Sequence, residues 1–575
     1  MKNKAFPAQQ INKSKSNSST LSRWFKSLTL SIIPALLTAL PVNAAKQVSV
    51  GHKGLNIFIP VSALENYAKS GEISYELASY MLMLEAEKED KYRELLQNRY
   101  NFPPQIVSQF INSPMGELFL RNLGQVIKTS SNSENENLTT VENENGAEEI
   151  RTALLKAAND AEGLTIINFI RHFPSDTIWF DTKEILAVTE KITAVQKDTK
   201  TFIETVANIT RTEAYKEEKV DFSQLPDIRK KGQYSFEKQK IILQDEGRDR
   251  HFSVELYLPN ISSKEISIPV VVISHGLGSN GVNFKSLAKH LASYGFAVAL
   301  PQHPGSDYEY IQKFLAGKTK DMFHGNEFID RPLDISFLLN ELEQLNQYQF
   351  HNQLNLKKVG IFGHSFGAYT AFALAGAEIN FQQLKQDCGP QMEVLNMSLL
   401  LQCRALELKP QKYNLKDDRI GGIFVLDPVN SSLFGKAGLS QIKLPVLWGS
   451  ASEDKITPIV LEQANSFTWL TTPDKYLVLT EGADHINIDF GAIRENSFTS
   501  LAELIQPDPD VVNGYANAFG LAFFQTHVAD RPEYSSYLQA SYAQTIGEQP
   551  FNLSFVRSLS EIQLSKTLKQ ARKTN

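Results

Sequence analysis

Apolar positions along the chain follow two patterns. From residue 268 onward, short runs are apolar at nearly every position: 268–273, 296–300, 359–362, 423–426, 446–448 and 476–479. A strand apolar on both sides belongs to a sheet buried on both faces. Between these runs lie stretches with helical spacing, at 283–294, 333–345 and 366–377. Strands alternating with helices predict an α/β fold with a doubly wound, mostly parallel sheet. Strict alternation at 236–243 and 252–258, around the charged turn Asp245-Glu246-Gly247-Arg248, predicts a leading hairpin. Two connections, 303–331 and 378–419, are longer than a crossover needs. Extra length there commonly builds a lid or a substrate wall.

Upstream the period changes to that of a helix. Leu77, Tyr80, Met81 and Leu84 share one face within the helical region 46–127. Ser62-Ala63-Leu64-Glu65 reads as a capping box, and Pro103-Pro104 interrupts the pattern before a second apolar helix at 116–127. Residues 129–148 are Ser, Asn, Glu and Thr with few apolar side chains, so a flexible segment is expected. Helical spacing resumes at 149–158 and 165–172. It continues in a long helix at 182–209, with Ile185, Val188, Ile192, Val195 and Phe202 along one seam. The expected organisation is a smaller, mainly α-helical domain at 46–209, an α/β domain at 234–530 and a C-terminal extension at 531–575.

Composition adds little to this picture until it is divided. The 575 residues are 42% hydrophobic and 21% charged, as in ordinary globular proteins. Net charge is −6, but six of the 58 basic side chains fall in residues 1–44, which carry no acid. The remainder sets 52 basic against 64 acidic side chains, or −12, and holds no basic run, which argues against nucleic acid as a partner. Lys2, Lys4, Lys13, Lys15, Arg23 and Lys26 precede an apolar run at 28–40, followed by Pro41-Val42-Asn43-Ala44. That is the layout of a signal peptide cut after Ala44, so residues 1–44 are expected to be removed and the protein exported, periplasmic or extracellular. An uncleaved membrane anchor is the alternative; no other stretch approaches spanning length, so the mature chain is expected to have no transmembrane span. The two cysteines, Cys388 and Cys403, make a disulfide plausible in an oxidising compartment. In the chain-entropy account such a bridge contributes about 3 kcal/mol.

The chemistry gathers around one turn. Gly363-His364-Ser365-Phe366-Gly367 joins an apolar strand to a helix and matches the G-x-S-x-G nucleophile elbow. That pattern alone arises by chance roughly one time in ten in a chain this long. Its neighbours strengthen it. Ligands of such sheets bind beyond the carboxyl ends of the strands. After the strand at 268–273 comes the Gly-rich turn His275-Gly276-Leu277-Gly278, whose Leu277 N–H, with the N–H of Phe366, can form an oxyanion hole. After the strand at 446–448 comes Asp454, and after that at 476–479 comes His485. Ser365, Asp454 and His485 thus follow in the order nucleophile, acid, histidine. Asp427, one strand earlier, is the alternative acid; Glu453 and Asp484 are less well placed. No metal-ligand spacing, Walker loop or dinucleotide loop is present, so neither metal nor other cofactor is called for.

These residues resemble the α/β-hydrolase family across about 234–530. Within it, His303-Pro304-Gly305-Ser306 and Arg331-Pro332-Leu333-Asp334 resemble the branch of platelet-activating-factor acetylhydrolases, dienelactone hydrolases and cutinase-like esterases. In cutinase-like members the acid position matches Asp454, in acetylhydrolase-like members Asp427. The helical region resembles a poorly characterised module that precedes hydrolases of cyanobacteria. The resemblance implies a serine hydrolase acting on an ester or lipid-like small molecule. A non-catalytic binding module on the same fold, or an acyltransferase using the same triad, are the alternatives.

Overall fold

The computed structural model describes residues 45–52, 55–81, 89–100, 102–129, 146–180, 182–261, 267–390, 392–485 and 509–573. The expected signal peptide, residues 130–145 of the expected flexible segment, and Leu84 lie outside the described residues.

Nine of the described strands form one sheet: β1 (Phe236–Asp245), β2 (Arg250–Pro259), β3 (Ile268–Ser274), β4 (Ala297–Pro301), β5 (Leu354–His364), β6 (Ile420–Leu426), β7 (Val446–Ala451), β8 (Lys475–Thr480) and β9 (Leu553–Val556). Their spatial order is β9-β8-β7-β6-β5-β3-β4-β2-β1. Pairing is parallel from β4 through β8. It is antiparallel where β2 meets β4 and β1, and where β9 meets β8.

The all-apolar strands do what their pattern requires. On β3, Val270 and Val272 face one core while Val271 and Ile273 face the other. The first core is completed by helices Glu327–Tyr348, Phe366–Leu374 and Ser431–Leu439. The second is completed by Lys285–Ser293 and Pro509–His527. The carboxyl ends of β3, β5, β6, β7 and β8 therefore lie side by side along one edge of the layers.

A boundary at residue 530 does not bound this sheet. The C-terminal segment supplies β9, which pairs with β8 over Leu477–Thr480. Four buried residues are too short a run to stand out in sequence. The free side of β9 is covered by the long helix Thr182–Lys216. Thr210 Oγ1 accepts from the Phe555 N–H at 3.0 Å and lies 3.0 Å from the Phe555 carbonyl. Glu217 accepts the N–H groups of Ala540 and Ser541 at 2.8 and 2.9 Å. An edge strand left open is a template for wrong pairing, and this helix closes it.

The N-terminal unit is helical, as its periodicity predicts, and also holds a four-stranded sheet. Its strand order is Leu55–Pro60, Gln47–His52, Thr177–Phe180 and Ile127–Thr129. Ser62 does not cap a helix there. Helix Val61–Ser70 takes Pro60 as its N-cap with no side-chain bond, because the strand ending at Pro60 passes directly into it. Pro103-Pro104 starts a helix rather than merely breaking one: Pro104 opens Pro104–Ile111, where the missing N–H costs nothing. The unit rests on both long connections of the α/β domain. Gln105 Nε2 donates to the Leu315 carbonyl at 3.2 Å, and Lys191 pairs with Glu393 at 2.9 Å. Among the described residues no helix is long and apolar enough to cross a membrane.

Candidate active site

The turn that carries the candidate nucleophile is built by steric exclusion. β5 ends at His364 and the next helix begins at Phe366, leaving Ser365 between them at φ 54°, ψ −115°. A non-glycine residue held there is strained, and such strain persists only where the surroundings over-determine it. They do. Ser365 N–H donates to the Leu426 carbonyl of β6 at 3.0 Å. A Cβ on Gly363 would overlap the Gly367 carbonyl, and one on Gly367 would overlap the Ser274 carbonyl. Both glycines of the motif are therefore needed for strand and helix to cross so closely.

His485, just beyond β8, meets the loop that follows β7. Its Nδ1 donates to Asp454 Oδ2 at 2.7 Å. The same carboxylate receives the N–H groups of Ile456 and Thr457, both at 2.8 Å on Oδ1, and the Thr457 hydroxyl on Oδ2. Thr457 is itself held by Gln463, whose Nε2 donates to the Thr457 carbonyl at 2.7 Å. Gln463 closes a single π-turn, Ile459–Gln463, an irregularity frequent at functional sites. Sequence reasoning passed over Thr457 and Gln463. The spacing Asp454-x-x-Thr457, a carboxylate followed by the N–H groups it can bond, was the readable signal.

His364, the residue before Ser365, links that turn to His485. Its Nε2 bonds the His485 carbonyl at 3.0 Å, and the two rings lie 4.9 Å apart. Ser365, Asp454 and His485 are all buried. Burial alone would lower the His485 pKa; the Asp454 carboxylate, by charge and hydrogen bond, with Asp427 and Asp484 adding, overrides it and raises the value to about 9. Burial works against ionised Asp454 too, but His485 and the Thr457 donors hold its carboxyl below the usual range.

The alternative acid sits differently. Asp427 follows β6 at φ 49°, and its Oδ1 accepts the Ala451 N–H at 2.8 Å. Burial, then the neighbouring Asp454 charge, push its pKa up to about 8. Asp484 Oδ1 accepts the His485 N–H at 2.7 Å, and Glu453 points to solvent. Among the described residues one group could converge on a metal ion: His364, Asp427 and His485, with donor atoms within 4.8 Å of one another. Two of its ring nitrogens are already engaged, His485 Nδ1 by Asp454 and His364 Nε2 by the His485 carbonyl.

The two nominated oxyanion donors belong to adjoining backbones. Gly367, next to Phe366, packs against the Ser274 and His275 carbonyls at the root of the loop that carries Leu277. That loop is tied to the first long connection, with Gly278 N–H donating to the Ser306 carbonyl at 2.8 Å and Tyr308 N–H to the Ser279 carbonyl at 2.9 Å. The second long connection is closed by a disulfide between Cys388 and Cys403. It is also held by buried Glu462, which accepts from Asn396 at 2.7 Å, from Gln402 at 3.0 Å and from the Asn430 N–H at 2.7 Å. Nothing in the sequence pattern singled out Glu462.

Strand order, crossovers and the Ser365 turn define the fold as that of an α/β-hydrolase. Two family models match the chain, both describing such domains. One, alpha/beta hydrolase of unknown function (DUF1400), matches residues 44–181; the other, alpha/beta hydrolase fold, matches residues 269–384. The first falls on the N-terminal unit. The second runs from β3 past the helix that follows Ser365 and ends before Asp454 and His485. No curated protein matches the sequence.

Proposed function

We propose that the protein is an exported serine hydrolase that cleaves carboxylic esters through an acyl-enzyme. The observation that carries this reading is the 2.7 Å hydrogen bond from His485 Nδ1 to Asp454 Oδ2, formed beside a serine held at φ 54° on a strand-to-helix turn. Serine is a weak nucleophile unless a base removes its proton, and the base works only in one tautomer. Asp454 fixes that tautomer by accepting a hydrogen bond from Nδ1–H, which leaves the Nε2 lone pair free to take a proton. Ser365 Oγ attacks the ester carbonyl as its proton passes to His485 Nε2. The carbonyl π-electrons move onto oxygen, where the N–H groups of Leu277 and Phe366 stabilise the charge. Collapse expels the alkoxide, which takes the proton from His485 and leaves as the alcohol. Water, deprotonated by His485, then attacks the acyl-enzyme and releases the acid and Ser365.

The substrate is an ester or a lipid-like small molecule, in line with the acetylhydrolase and cutinase-like resemblance of 303–306 and 331–334. Export rests on the basic, then apolar, N-terminus. The test is Ser365→Ala assayed on p-nitrophenyl esters. Turnover is expected to fall by about three orders of magnitude or more with the circular dichroism spectrum unchanged. Wild-type turnover in that variant would end the reading.

A further inference from the structure

Arg331 is fully buried, and it touches both halves of the proposed oxyanion hole. One guanidinium nitrogen donates to the His275 carbonyl, at the root of the loop that carries Leu277. The guanidinium carbon lies 4.5 Å over the ring of Phe366, the residue that offers the other N–H. Among the described residues Nε and Nη1 have no hydrogen-bond partner, although both are shielded from water. Burying a cation with two of its three nitrogens unbonded is costly, so its place calls for an explanation.

Charge balance is the plain explanation, and it does not suffice. The buried acids nearby, Glu327, Asp334 and Asp307, already have partners, Asp307 accepting the Tyr310 N–H at 2.8 Å. Arg250 bonds Asp334 at 2.6 Å and Glu327 at 2.8 Å, Arg248 pairs with Asp334 at 3.0 Å, and Ser306 donates to Glu327 at 2.6 Å. Arg331 comes no nearer to Glu327 than 4.0 Å. Its close contacts are with the His275 carbonyl, with the His275 ring at 3.4 Å, and with the Phe366 ring. No other charged group joins the loop before Leu277 to the Phe366 side chain among these contacts.

We propose that Arg331 is a positioning residue that fastens the two halves of the oxyanion hole to each other. This rests on the esterase reading above. By fixing the His275 carbonyl it sets the tilt of the peptide units leading to Leu277, and by resting on Phe366 it ties that tilt to the nucleophile helix. Such a group acts on the transition state, where charge develops on oxygen, and hardly on substrate binding.

The test compares Arg331→Lys and Phe366→Leu with the wild-type full chain, using p-nitrophenyl acetate and phenylboronic acid, whose tetrahedral serine adduct carries an oxygen into the hole. Arg331→Lys keeps the charge but loses the planar fork. Phe366→Leu keeps every ion pair and removes the ring. Each is expected to lower kcat about tenfold and to weaken boronic acid inhibition by a similar factor, with KM within about twofold. A purely structural role would not split kcat from KM in this way. Unchanged kcat in either folded variant, or a loss carried by KM alone, overturns the proposal; if Arg331→Lys does not fold, Phe366→Leu decides alone. Failure of the esterase reading is read separately, from Ser365→Ala retaining activity.

Discussion

The loops that follow β6 and β7 are near neighbours, and each begins with the means to serve a histidine. Each places one buried aspartate just past a strand end: Asp427 after Leu426 and Asp454 after Ala451. Only the β7 loop is wound so that its own backbone turns back on the carboxylate. Two N–H groups and one hydroxyl point at Asp454, and His485 donates a fourth bond. Asp427 has the Ala451 N–H and a like charge nearby. Donors lower a carboxyl pKa and burial raises it, so one aspartate is held ionised while the other is pushed up to about 8. Position at a strand end makes an acid available; the donors decide which one carries the charge.

The sharpest way to break that comparison is Asp454→Asn. An amide keeps the shape but removes the charge that fixes and raises His485. In a serine triad this exchange costs about 10⁴-fold in kcat, and a loss of that order is expected here. The pH profile should move as well. With Asp454 ionised, His485 titrates at about 9, so kcat/KM climbs with pH as the imidazole loses its proton. Without that carboxylate the downward pull of burial prevails, and the rising limb shifts to lower pH. A limb that stays in place in Asp454→Asn would show that another group holds His485. Kinetics from pH 5 to 10 on both proteins supply the check.

Much of this is legible in the sequence alone. The parallel strands could be read because they are short runs apolar on both sides, set between turns and longer helical stretches, and because Gly363 and Gly367 mark a crossing that tolerates no Cβ. The candidate residues Ser365, Asp454 and His485 could be picked out because the topology places the ends of β5, β7 and β8 side by side. What could not be read is contact made without periodicity. Leu553–Val556 is a four-residue strand whose partner lies over seventy positions away in sequence, and its edge is closed by a single hydroxyl on Thr210. The small N-terminal sheet escaped in part for the same reason: Ile127–Thr129 is three residues long, and its partner Thr177–Phe180 lies some fifty positions away. The roles of Arg331 and Glu462 carry no local signature, since what matters is which carbonyl or N–H each one meets.

A smaller effect is expected one step out from the acid. Thr457 donates its hydroxyl to the oxygen that also receives His485, while its N–H serves the other oxygen. Thr457→Val keeps the shape and the N–H and removes the hydroxyl. A hydrogen bond to a charged group contributes about 1.5–3 kcal/mol, so kcat should fall by about ten- to a hundredfold. The loss should come with a raised Asp454 pKa and a slightly lowered His485 limb. Equal kcat in the two proteins would mean that the backbone donors suffice to hold the carboxylate.

The smallest effect, and the most discriminating, belongs to Asp427→Asn. A neutral carboxyl and a carboxamide are close in size, and the carboxamide oxygen can still accept the Ala451 N–H. Asparagine also tolerates the positive φ of 49° at this site as well as aspartate does. Loss of a group that is protonated at neutral pH takes away little charge from His485, so kcat at pH 7 should stay within about threefold of wild type. Above about pH 8, where Asp427 would ionise and help hold the imidazolium, the variant should be the more active of the two, because its His485 gives up the proton sooner. A crossing of the two pH profiles is the signature of a neutral second carboxyl. If Asp427→Asn instead loses activity as deeply as Asp454→Asn, the acid of this triad follows β6, and the donors around Asp454 serve only to hold the β7 loop.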